Sequence, residues 1–372
     1  MDSEWLKDLN EKLPSFLNSL NKHQFQYLPV KTNFTKAGEE LSLGFSCYAL
    51  KLFYITNLWE NLDDLDKKNW CSYINSFQIN SSKFPPNSFI DNKFLEYSSA
   101  FSLKKQFKNL SKAILNFLFK KNYILNNQKL EDSIRAETKQ AIATLNQVGA
   151  SNELPYLDFL RSSQEVNTYL RQLDWSKPWN AGAQFAAICV FVETQIKSDS
   201  LKQELIRTLT DFSILISHKD TGLFYLGNKP SEVELVNGAM KVITGLDWIG
   251  VDIPYPKELI NTFLNIKPSE DGCDLVDTVY VLYMCSKVTN YKSSEVEKFL
   301  TEILQMIKMH YFPNIGGFSY FKKTAQTHYY GVQISKGTSM PDIHGTLLLV
   351  WAISMISKLI ALPTSHWKVL KP

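Results

Sequence analysis

Asp274 and Asp277 stand three residues apart in an otherwise apolar segment, so a helix there puts both carboxylates on one face. At the first turn of that helix they either answer free backbone N–H groups or sit at the mouth of a cavity. In the second case burial raises a carboxyl pKa and turns it into a proton donor. His344, between Asp342 and Gly345 at the start of another apolar segment, is either a packing histidine or an acid/base group. Asp274, Asp277 and His344 are therefore the catalytic candidates. The usual structural-zinc spacing is absent, so no metal or other cofactor is expected.

Polar residues on apolar helices are informative because burying them is costly unless they are paired or used. Asn237 and Lys241 lie four apart on such a segment, and a buried Lys241 needs a partner, for which Asp247 or Asp277 is available. Arg135, Glu137 and Gln140 open another, where Arg135 and Glu137 are expected either to pair or to line a pocket. Trp175, Trp179, Asn180 and Gln184 cluster around Pro178 at a helix entrance, either as pocket wall or as core. Tyr329 and Tyr330, beside His328, and Tyr280, within the carboxylate segment, complete the expected binding residues.

The elements that must position these groups are helices, since the apolar spacing follows a period of 3.6 and strand signals are sparse. Six segments are nearly apolar all round, at 43–55, 134–148, 181–196, 235–246, 273–286 and 343–359. Six others are amphipathic, at 65–77, 103–119, 156–173, 201–217, 256–266 and 294–311. Buried and half-exposed helices in equal number predict an all-α fold, an (α/α)6 toroid whose inner ring is wrapped by an outer one. A generic bundle or solenoid is the competing arrangement. Two turns, Asp220-Thr221-Gly222-Leu223-Phe224-Tyr225 and Asn314-Ile315-Gly316-Gly317-Phe318-Ser319-Tyr320, pair a glycine able to take positive φ with an aromatic that plugs the barrel end. With no Pro/Gly/Ser-rich linker, residues 1–372 read as one domain with an insertion around 80–130.

The chain has 372 residues and a net charge of +3, which gives no general reason to expect nucleic acid or an anionic membrane as partner. Five scattered cysteines without a CxxC pair suit a reducing compartment. The acidic N-terminus has no secretory signal, and the apolar stretch 346–361 is too short and interrupted to span a membrane. A cytoplasmic location is expected.

Gly-aromatic turns, a Phe77-Gln78 helix end and Asp274-Leu275-Val276-Asp277-Thr278 together resemble the terpenoid cyclase and protein prenyltransferase superfamily. The segment is similar to the Asp-x-Asp-Asp-Thr helix start of class II terpene cyclases, with Val276 at the position of that family's general acid. It is also similar to the zinc-binding Leu-Val-Asp-Gly-Cys stretch of prenyltransferases, and Asp342-Ile343-His344-Gly345-Thr346 to their histidine segment, a resemblance that would imply zinc between Cys273, Asp277 and His344. The resemblance covers the chain from about Asn180 onward. It implies an acid/base enzyme, lyase or isomerase in type, acting on an isoprenoid or other hydrophobic ligand in a central cavity. The alternatives are a carbohydrate-active toroid (a polysaccharide lyase, epimerase or hydrolase) and a non-catalytic binding scaffold. A closed apolar chamber would favour the isoprenoid; a groove rimmed by Arg, Asp and Trp would favour sugar.

Overall fold

Short polar residues set the helix starts. Asp63, Ser162, Ser198, Ser231 and Asp342 each accept a backbone N–H with the side chain, answering donors that a first turn leaves free. Ser162 and Ser231 are each followed three residues later by Glu165 and Glu234, the capping-box spacing. The computed structural model describes residues 3–81, 83–99, 126–156 and 159–372. Among them are fourteen α-helices and four two-stranded antiparallel pairs, so the fold is all-α in class.

The helices are α1 (Glu4–Leu20), α2 (Lys36–Glu40), α3 (Leu43–Ile55), α4 (Asp64–Asn75), α5 (Asn92–Ser99), α6 (Asn126–Gln147) and α7 (Ser163–Gln172). There follow α8 (Pro178–Gln195), α9 (Asp199–Ile216), α10 (Glu232–Trp248), α11 (Pro256–Phe263), α12 (Gly272–Ser286), α13 (Ser293–Lys308) and α14 (Ile343–Leu359). The apolar helices are α3, α6, α8, α10, α12 and α14. Each packs on the next in chain order, and α14 packs back on α3, so the contacts run in a cycle. The amphipathic helices bury one face against this set and expose the other. Buried residues from Trp5 to Leu370 belong to one contiguous apolar cluster.

The bounds of α3 and α14 match expectation, while three other expectations change. Helix α6 begins eight residues before 134, because 126–133 are polar and carry no apolar period. The helix expected from 156 begins at Ser163, where the Ser162 cap sets its start, and Tyr156 instead packs on Phe191 with ring centroids 4.7 Å apart. Helix α1, not anticipated, buries Trp5 and Phe16 against Phe318 and Gly317 of the second Gly-aromatic turn. The expected helix 103–119 and most of the insertion lie outside the described residues.

Both glycine-aromatic turns form as anticipated. Gly222 and Gly316 take φ of 72° and 89°, and Phe224 and Phe318 are buried. Gln78, at the end of the α4 hairpin, binds Asn87 and both backbone groups of Leu154, tying neighbouring loops together.

Candidate functional site

Where the apolar helices begin, they enclose a cavity of about 460 Å³. Side chains from all six apolar helices form its wall: Tyr48 and Lys51 from α3, Lys139 from α6, Gln184 from α8, Lys241 from α10, Asp277 from α12 and His344 from α14. Trp179 stands at the rim, 39% exposed. Deeper in, Trp351, Leu347, Met240, Leu370 and Pro372 make an apolar floor, with Trp351 Nε1–H donating to the Leu370 carbonyl at 3.2 Å.

One wall is carried by α10 and α12. Asp274 is engaged from behind, accepting from Asn237 Nδ2 at 2.9 Å and Ser269 Oγ at 2.5 Å. Asn237 Nδ2 also donates to the Val233 carbonyl, which leaves the buried Oδ1 without a partner. Asp277, one turn further and 3% exposed, is pushed up to about 7 by burial, against the pull of the nearby Lys241 charge.

The opposite wall is carried by α6 and the hairpin of His328–Tyr329 and Val332–Gln333. Tyr330 and Gly331, with φ of 43° and 82°, make the two-residue turn with both central residues at positive φ that matches strand twist. The hairpin drives Tyr329 down onto Gly44 of α3, where any Cβ would overlap its hydroxyl. There the hydroxyl donates to Glu137 Oε1 at 2.8 Å, while Oε2 stays buried and unpartnered. Burial outweighs that hydrogen bond and pushes the Glu137 carboxyl up to about 8. Glu137 does not itself reach the cavity; Tyr329 stands between.

His344 is sandwiched by Tyr48 and Tyr320, with centroids 4.7 and 5.3 Å away. Its Nδ1 is 3.0 Å from Gln326 Oε1, which can only accept, so the proton sits on Nδ1 and Nε2 is an acceptor. Burial, and then the charges of Lys241 and Lys51, lower its pKa to about 3, so the ring is neutral at physiological pH.

The expected residues Asp277, His344, Asn237, Lys241, Trp179, Gln184, Tyr329 and Tyr330 therefore meet at one cavity. Asp274 and Glu137 stand just behind its wall, each bonded to a lining side chain. Trp175, Asn180 and Tyr280 do not take part. Trp175 is buried against Phe212 and donates to the Leu170 carbonyl, Asn180 points to solvent, and Tyr280 packs on Trp351 beside Asp247. The Arg135–Glu137 pair does not form, since two residues apart on a helix they face different ways: Arg135 binds Asp132, Gln184 and Tyr169. Lys241 makes no ion pair with Asp247 or Asp277 among the described residues, although it is close enough to act on Asp277 electrostatically. Sequence reasoning missed Lys51, Lys139, Tyr48 and Gln326. The signal that singled out Lys241, a lysine inside an apolar helix, was equally present at Lys51 between Leu50 and Leu52.

Among the described residues no three His, Cys, Asp or Glu side chains are grouped to hold a metal ion, Cys273, Asp277 and His344 included. No described helix is long and apolar enough to cross a membrane. No family model, curated protein or solved structure matches this chain.

Proposed function

We propose that the cycle of six apolar helices is the inner ring of an (α/α)6 toroid, and that its cavity performs acid/base chemistry on a carbohydrate-like ligand. One observation carries the chemistry: Asp277, a carboxyl near neutrality, and His344, a neutral imidazole with a free Nε2, line one cavity from the adjacent helices α12 and α14. A group whose environment sets its pKa near the working pH can move a proton, and a neighbour held neutral can accept a hydrogen bond. Trp179 stands at the opening, with the half-buried Arg135 and the buried Asp277 on the wall, and these polar groups favour a hydroxylated ligand over a purely apolar one. Trp179 offers a flat face to a sugar ring. Asp277, near its midpoint at neutral pH, would exchange the proton, while His344, lowered to about 3, would keep Nε2 neutral to accept a hydrogen bond from a ligand hydroxyl, a pairing suited to an epimerase or lyase.

The isoprenoid reading keeps one supporting feature, the apolar floor of Met240, Leu347, Trp351 and Leu370. Proton exchange separates the two. Neutral and acidic oligosaccharides, and separately farnesol, are incubated with the full chain in D2O, and carbon-bound deuterium is followed by NMR. The sugar reading expects exchange into a saccharide that Asp277→Asn or His344→Gln abolishes. Tight farnesol binding with no saccharide exchange would overturn it.

A further inference from the structure

Lys51, Lys139 and Lys241 come from three different helices, α3, α6 and α10, and all line the cavity. Among the described residues none of the three has a hydrogen bond or an ion pair. Lys51 is 7% exposed, yet its ammonium has no counter-charge. Burial and mutual repulsion lower Lys51 to about 8 and hold Lys139 well below the usual lysine range. Lysines gathered without counterions around one largely buried cavity are destabilising on their own, and an incoming anion removes that cost.

The acidic groups nearby supply at most one of the missing charges. Asp277, pushed up to about 7, is ionised only above neutral pH and then answers Lys241, Glu137 is held toward the protonated form behind Tyr329, Asp274 is taken up by Asn237 and Ser269, and His344 is neutral. Arg135 adds a fourth cation at the wall, partly offset by Asp132 at 3.6 Å. A single carboxylate would leave most of this charge unanswered. A phosphate group carries close to two charges and three terminal oxygens, one for each lysine.

We infer that Lys51, Lys139 and Lys241 form a phosphate subsite, so that the ligand of this cavity is a phosphorylated, hydroxylated molecule. Resting on the reading proposed above, that molecule is a sugar phosphate.

Calorimetric titration of the full chain tests this with inorganic phosphate, glucose 6-phosphate, glucuronate and glucose, at pH 8 in HEPES and in Tris. The phosphate probes should bind, and more weakly as salt is raised. They should also take up protons, because an anion favours the charged lysines and raises their pKa. Lys139→Gln and Lys241→Gln should each weaken phosphate binding at least tenfold. Lys139→Met should raise the melting temperature of the free protein, since it removes a buried amine whose charged form the cavity opposes; a lysine that merely supports the fold would lower it. Phosphate affinity no better than that of glucose, unchanged affinity in the lysine variants, or a fall in melting temperature overturns the subsite. Glucose or glucuronate binding without phosphate binding defeats this inference and leaves the sugar reading standing. Inorganic phosphate binding with no saccharide exchange keeps the lysine subsite and removes the sugar.

Discussion

The two walls of the cavity each hold a buried carboxyl, and they answer it differently. Glu137 on α6 meets only a phenol, the Tyr329 hydroxyl, and is sealed from the cavity by that ring. Asp277 on α12 lines the cavity and feels the positive charge of Lys241. Burial is the largest influence on both, raising each far above its ordinary value. What separates them is the partner of the charged form. Glu137 has no nearby cation to favour ionisation, so it is built to keep its proton and fix Tyr329. Asp277 has one, so it stands near its midpoint at neutral pH. One carboxyl holds architecture and the other is poised for transfer, a division set by neighbours and not by residue type.

Changing the pH tests that division most strongly. A carboxyl whose folded pKa is raised binds its proton more tightly than in the unfolded chain, so its contribution is fully present below the unfolded value and is lost as pH rises. For Glu137 that window runs from 4.5 to about 8, and for Asp277 from 3.8 to about 7. Within it each group costs roughly 1.4 kcal/mol per pH unit. Glu137→Gln keeps the shape and the acceptor for Tyr329 without the titration. Urea melts across this range should show Glu137→Gln matching the wild type near pH 4.5 and becoming the more stable protein by pH 8. Parallel curves would mean Glu137 does not hold its proton.

Tyr329 is the link between the sealed carboxyl and the cavity, and Gly44 is what makes room for it. Gly44→Ala improves helix propensity but drives a methyl into the hydroxyl. The clash should prevail, lowering stability by about 1–3 kcal/mol and abolishing saccharide exchange, while the isosteric Tyr329→Phe should lose about 1 kcal/mol. If Gly44→Ala were instead stabilising by thermal melt, the hairpin would not be seated as described.

Much of this frame was legible in the sequence, and the reasons for the rest are physical. Helices α3 and α14 are apolar on every face, so their limits coincide with the limits of the apolar run. Helix α6 is not, because its first two turns hold Leu130 as their one apolar residue and so carry no apolar period to mark the start. The carboxylate and histidine were readable as outliers in apolar segments, and they do share one cavity. Trp175 and Tyr280 misled because an aromatic near a helix start looks the same whether it faces a cavity or the neighbouring helix; only the register of packing decides. The lysine cluster escaped notice because the three residues lie on three helices, and no local spacing brings Lys51, Lys139 and Lys241 together.

The smallest expected change is at Asp277 itself, at acid pH. Asp277→Asn removes the proton that the sugar reading assigns to catalysis, but it retains the volume and one accepting oxygen. Near pH 3.5 the carboxyl is protonated in the folded protein and largely so in the unfolded chain, so the substitution exchanges one neutral group for another. Stability there should change by less than about 0.5 kcal/mol, within the range of a benign substitution. As pH rises from 3.8 to about 7 two contributions oppose each other. The ionised carboxylate gains from Lys241 and loses from burial, and burial is the larger. The variant should therefore gain on the wild type by roughly 1.4 kcal/mol per pH unit across that window and be the more stable protein at pH 8, and Lys241→Met should enlarge its advantage over an Asp277 parent by deepening the carboxylate's isolation. Saccharide exchange should be lost at every pH. A variant destabilised at pH 8 that still exchanges deuterium would make Asp277 a structural counter-charge to Lys241, and the two walls would then differ in nothing but exposure.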